Sequence, residues 1–214
     1  RARLNYAYKL LRGRDFETEV YSEQLRIEQF DKLKIVLDKV LNVQTWHDFL
    51  KCIEAAGYVS KSLISAQNAL VYTYALYLIG KHEYCMKETD LRKLMAKWFF
   101  MSSVSGYYTS SPETVVEADL ADLRNVKTAA GFTDLLEHKI AAAFTNDYFD
   151  VTLPSVLATS ASRSPAWYGY CAALNILGAK VLFSTLTTRE LFSPAATGSK
   201  NALERHHLFP KAYL

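Results

Sequence analysis

Two adjacent imidazoles near the end of the chain, His206 and His207, are followed by Leu208-Phe209 and a Pro210-Lys211 corner. Such a pair can divide the work of cutting a phosphodiester. Neighbouring side chains on a strand point to opposite faces, so a kinked strand end can give each histidine its own task. His207 would serve as the general base, because an imidazole titrating near neutrality can take a proton from an attacking water. His206 would be a ligand to a divalent cation that stabilises charge on the phosphate. Lys211 would pair with a backbone phosphate, and Pro210 would end ladder pairing and turn the chain. One imidazole cannot hold a hard cation against water, so further oxygen ligands are expected beyond Leu214. The competing reading leaves the two histidines as features of a tail without a role.

The other candidates carry less chemistry. Arg163, between Ser162 and Ser164 and just ahead of a helix start, suits an anion such as phosphate. Arg12 and Arg14 close a basic cluster with Arg1, Arg3 and Lys9, which could track a nucleic-acid backbone or simply solvate a helix face. Tyr107 and Tyr108 invite base stacking, although aromatics on helices more often fill cores. His47 beside Asp48 reads as a local hydrogen bond, His82 as a cation at a helix end, and His138 as solvent-facing. Asp147 and Asp150 are two carboxylates with nothing else to complete a cation site.

Positioning these groups falls to helices. Half of the 214 residues are hydrophobic and 22% are charged, the balance of a globular domain, and the net charge of +3 proves no nucleic-acid partner. Phe30, Leu33, Leu37, Val40 and Leu41 recur at steps of three and four, which predicts one amphipathic helix from Thr18 to Leu41. Thr45 is expected to cap a helix that Gly57 ends. The stretch from Ser62 to Ile79 is apolar nearly all round, which predicts the central, buried helix, stopped by Gly80. Further helices are expected from Thr89 to Val104, after Ser111-Pro112 to Val126, from Thr133 to Phe144, and after Ser164-Pro165 to Gly178. Thr187 and Glu190 fit a capping box. Residues from Asn146 to Ser162 read as an extended surface excursion, and those from Ala195 to Asn201 as a linker. The expected fold is therefore all-α: a multi-helix bundle over 1–194, with a short C-terminal segment, 195–214, in which any strand would fall.

Three cysteines at wide spacing (Cys52, Cys85 and Cys171) predict buried, reduced thiols and a cytoplasmic setting. The longest apolar run, Ala69 to Ile79, is too short to span a bilayer, so no membrane partner is expected. The missing initiator Met and the stop inside the motif read as an excised piece of a longer protein.

The ending Ala202-Leu203-Glu204-Arg205-His206-His207-Leu208-Phe209-Pro210-Lys211-Ala212-Tyr213-Leu214 resembles the start of the HNH motif in GmrSD-type restriction endonucleases. The stretches Trp98 to Ser103, Tyr107 to Glu113, Leu153-Pro154 and Ala161 to Ala166 are similar to that family's helical middle region. The resemblance implies a ParB-like N-terminal domain, this helical region and a C-terminal HNH nuclease, which together cleave foreign or modified DNA in bacterial phage defence. By it, His206 takes the metal-ligand position and His207 the general-base position, with a divalent metal ion as cofactor and DNA as partner in the intact protein. The nucleotide-handling signature and the later asparagine and histidine of the motif are absent here. The fragment by itself is thus expected to hold no cofactor and to be inactive. The alternative is a non-catalytic helical module that binds DNA or couples nucleotide state to a nuclease domain.

Overall fold

The computed structural model describes Thr18, residues 20–158 and residues 164–193. Among these, the chain forms nine α-helices and no strand, an all-α multi-helix fold. The helices are α1 (Glu23–Val40), α2 (Val43–Ala55), α3 (Gln67–His82), α4 (Glu88–Val104), α5 (Pro112–Leu123), α6 (Ala129–Ala143), α7 (Leu153–Leu157), α8 (Pro165–Ile176) and α9 (Thr188–Phe192). A 3-10 turn at Lys61–Leu63 precedes α3, and a π-helical turn at Tyr148–Thr152 runs into α7. An antiparallel bridge joins Lys180 to Thr187. The linker and the C-terminal segment expected beyond residue 194 lie outside the described residues. No helix among the described residues is long and apolar enough to cross a membrane.

Where start signals are local, the helices begin as the sequence dictates. The Ser164 hydroxyl accepts from the Trp167 amide at 3.1 Å, with Pro165 at the first helical position of α8. At α9 the capping box closes in both directions: Glu190 accepts from the Thr187 amide at 2.6 Å, and the Thr187 hydroxyl accepts from the Glu190 amide at 3.3 Å.

Other boundaries shift for visible reasons. Helix α1 begins at Glu23 because the Ser22 hydroxyl caps it by accepting from Leu25. Asn42, not Thr45, caps α2, its side-chain oxygen accepting from the Thr45 amide at 2.9 Å while Thr45 itself is buried. Thr128 caps α6, which therefore starts four residues ahead of Thr133. Ser111 stands before Pro112 but has φ +47° and gives no side-chain cap, so the proline alone marks that start. The expected extended excursion after Asn146 is instead helical as far as residue 157. Rings of Phe144, Tyr148 and Phe149 cluster there with centroids 5.2–5.4 Å apart, and their packing draws the segment into turns.

The central helix is α4 and not the Ser62–Ile79 stretch. Helix α4 packs against α2, α3, α6 and α8, and buries Leu91, Leu94, Met95, Trp98, Phe99 and Met101. From Trp98 to Val104 every residue is buried save the half-buried Phe100, and Ser102 and Ser103 are among them. The Ser102 hydroxyl donates to the Phe99 carbonyl at 3.2 Å, which satisfies it within its own helix. Helix α3 covers one flank of α4 and continues through Gly80, where a Cβ would stand 2.5 Å from Leu91 Cδ1 and 3.2 Å from Phe132 Cε1. That glycine serves close helix approach and does not end the helix.

Candidate functional site

Every residue singled out from the sequence for phosphate chemistry (His206, His207, Lys211, Arg163, Arg12 and Arg14) lies outside the described residues. The remaining histidines fall on three different helices. His47 on α2 is exposed; Asp48 beside it is bound instead by Lys51 at 2.9 Å and Gln44 at 3.1 Å. Those hydrogen bonds, Lys51 first, hold the Asp48 carboxyl below its ordinary range despite partial burial. His138 on α6 is exposed. His82, in the last turn of α3, has its Nε2 buried, and burial together with Lys39 and Lys81 lowers its proton affinity, with Glu83 opposing. Asp147 and Asp150 are exposed, and no group of three or more His, Cys, Asp or Glu side chains able to hold a metal ion occurs among the described residues. Cys52 and Cys171 are buried, and burial raises the Cys52 thiol to about 12; Cys85 departs from the expectation and is exposed, at φ +47°.

The densest polar constellation among the described residues is one that the sequence reading missed. The turn after α4 carries Tyr107 and Tyr108, α5 carries Asp119 and Asp122 one helical turn apart, and α6 carries Lys139. Asp119 is 4% exposed. Its Oδ1 accepts from the Tyr107 hydroxyl at 3.0 Å and from Lys139 Nζ at 2.9 Å, and its Oδ2 accepts from the Tyr108 hydroxyl at 3.0 Å. Lys139 also meets Asp122 Oδ2 at 2.7 Å. Burial and the Asp119 carboxylate push the Tyr107 hydroxyl up to about 12 and that of Tyr108 further in the same direction. Burial alone would lower Lys139, but its bonds to Asp122 and Asp119 outweigh that and raise it.

This geometry removes the stacking role considered for the two tyrosines. Tyr108 is 3% exposed, its ring held 5.0 Å from those of Tyr72 and Tyr107, and both hydroxyls are spent on Asp119. Nor is the cluster fitted to acid–base work. Its tyrosines stay protonated and its lysine charged across the neutral range, so no member is poised to pass a proton. What it does is tie the α4–α5 turn, α5 and α6 together around the buried Asp119 carboxylate, where each donor has a charged acceptor.

An apolar groove of about 550 Å³ lies between α2, the 3-10 turn and α3, lined by Leu50, Ile53, Tyr58, Ile64, Leu70 and Val71, with Glu54 and Lys61 among its polar residues. No family model, curated protein or solved structure matches this chain. The fold and the Asp119 cluster thus define an all-α protein with an internally satisfied polar clamp.

Proposed function

We propose that the chain is the helical body and first motif half of a GmrSD-like nuclease that hydrolyses DNA phosphodiesters. The observation that carries this reading is the terminal run His206-His207-Leu208-Phe209-Pro210-Lys211. His207 is the general base toward water, His206 a cation ligand, and Lys211 a phosphate contact; Arg163, Arg12 and Arg14 add positive charge along the path of the DNA. A divalent cation belongs to this reading through the family resemblance. The described residues do not assemble its ligand set, and one imidazole is not a set for a hard cation. The test is DNA cleavage by the full-length protein carrying His207→Ala. Loss of cutting with retained DNA binding supports the assignment, and cutting at the unmutated rate removes it.

The alternative is a non-catalytic helical module that couples other domains; a net charge of only +3 over 214 residues gives little general pull on DNA.

A further inference from the structure

Helix α1 is the one long element among the described residues with no buried side chain. Among the described residues it meets the rest of the fold at its C-terminal end, where the Tyr74 hydroxyl donates to the Val40 carbonyl at 2.8 Å, while Leu25, Gln29 and Leu33 on another side of it are half-buried. Helices owe most of their stability to the packing of an apolar face, and an apolar stripe left open on one asks for a cover. The stripe has a definite register. Ile27, Phe30, Lys34, Leu37 and Leu41 follow one another at steps of three, four, three and four, the spacing of a coiled-coil seam with a at 27, 34 and 41 and d at 30 and 37. Ile27, Phe30, Leu37 and Leu41 are 49%, 48%, 40% and 67% exposed.

We infer that α1 pairs with α1 of a second copy of this chain as a parallel, in-register two-stranded coiled coil. Three features select that occupant. The helix surface carries a groove of about 440 Å³ lined by Arg26, Ile27, Phe30, Asp31 and Lys34. Ile27, Phe30, Asp31 and Lys34 are the a, d, e and following a positions that form the hole for a d-position knob, and the knob supplied by a parallel copy is its Phe30. Across the same two-fold, Arg26 at g comes opposite Asp31 at e of the other copy, an attractive pair; an antiparallel arrangement would bring Asp31 toward acidic e positions instead. The lone Lys34 at an a position, now over its own Phe30 ring at 5.0 Å and 3.1 Å from Asp31, is the polar seam residue that fixes register at some cost in stability. Charge argues against other classes of partner. Arg26, Lys32, Lys34 and Lys39 balance Glu23, Glu28, Asp31 and Asp38, leaving no net field for nucleic acid or an anionic lipid surface.

The test is the mass of the full chain by sedimentation, from low micromolar to submillimolar concentration. A dimer is expected, with Phe30→Glu raising its dissociation constant by about a hundredfold, as loss of a central anchor does. Because Phe30 lies outside the core, the circular dichroism of the rest of the fold should survive that change. Arg26→Glu should weaken the dimer by roughly fivefold, and adding Asp31→Arg should restore it. For orientation, Lys34→Cys in a Cys85→Ser background should cross-link the two copies under mild oxidation, since the a positions of a parallel pair face each other. A monomer at every concentration would overturn the inference and leave the stripe to another partner. A dimer indifferent to Phe30→Glu, or one that fails to cross-link through position 34, would overturn it equally.

Discussion

Asp119 shows what a buried carboxylate does when every partner is supplied from elsewhere in the chain. Its three donors come from twelve and eleven residues before it and twenty after it, so no local spacing announces the cluster. In sequence Asp119 is one acid on a helix between Ala118 and Leu120, and the tandem tyrosines look free to stack. Replacing Asp119 by Ala leaves two hydroxyls without their acceptor and Lys139 held by Asp122 alone. Such a break costs about 2–4 kcal/mol, which for a chain of this size lowers Tm by roughly 10 °C in a calorimetric scan. Tyr107→Phe removes a single bond to a charged acceptor and should cost about 1.5–3 kcal/mol, readable as a shifted urea midpoint. A different dependence belongs to His82. Its folded-state proton affinity is lowered by burial first, then by Lys39 and Lys81, so the unfolded chain binds the proton more readily. The stability it confers is present above the unfolded imidazole pKa of about 6.5 and is lost as pH falls through the lower folded value. Urea midpoints of the parent chain should therefore drop on acidification below that point, and His82→Gln should flatten the drop.

Among the elements, α8 docks through backbone. Gly57 sits at φ +84° after α2, where a Cβ would lie 2.1 Å from the Ala172 carbonyl oxygen. Its own carbonyl accepts from Asn175 Nδ2 at 2.8 Å, across a separation of 118 residues. Gly57→Ala meets both a left-handed conformation and backbone that cannot yield. It should destabilise the fold by about 3 kcal/mol or more and separate α8 from α2, seen as faster amide exchange in α8. The contrast between elements explains what could be read in advance. Ser164-Pro165 and the Thr187–Glu190 box act within one turn, and the helices they start are where the sequence puts them. Gly57, read as a helix stop, is one, and it is also the point at which another helix touches down, which no local pattern encodes. Centrality was misassigned for the same reason. Tyrosines give the stretch before Gly80 an apolar appearance, whereas Ser102, Ser103 and the charged Arg92, Lys93 and Lys97 disguise α4 as a surface helix. Burial on all sides depends on how many neighbours converge, a property of the assembled bundle.

For the molecule as a whole, five of the 25 Lys and Arg fall within the first fourteen residues: Arg1, Arg3, Lys9, Arg12 and Arg14. A salt-sensitive affinity for DNA can be tested on that cluster. Each phosphate neutralised contributes about 0.9 to the slope of log affinity against log salt. Changing both Arg12 and Arg14 to Gln should lower that slope by roughly 1.8 in titrations of duplex DNA at two salt concentrations, if each contacts one phosphate. Removing Lys32 and Lys34 from α1 in the same assay should leave the slope where it was. An unchanged slope in the arginine variant would take the N-terminal cluster out of the DNA path. It would leave Arg163 and Lys211 as the cations to test next for those contacts.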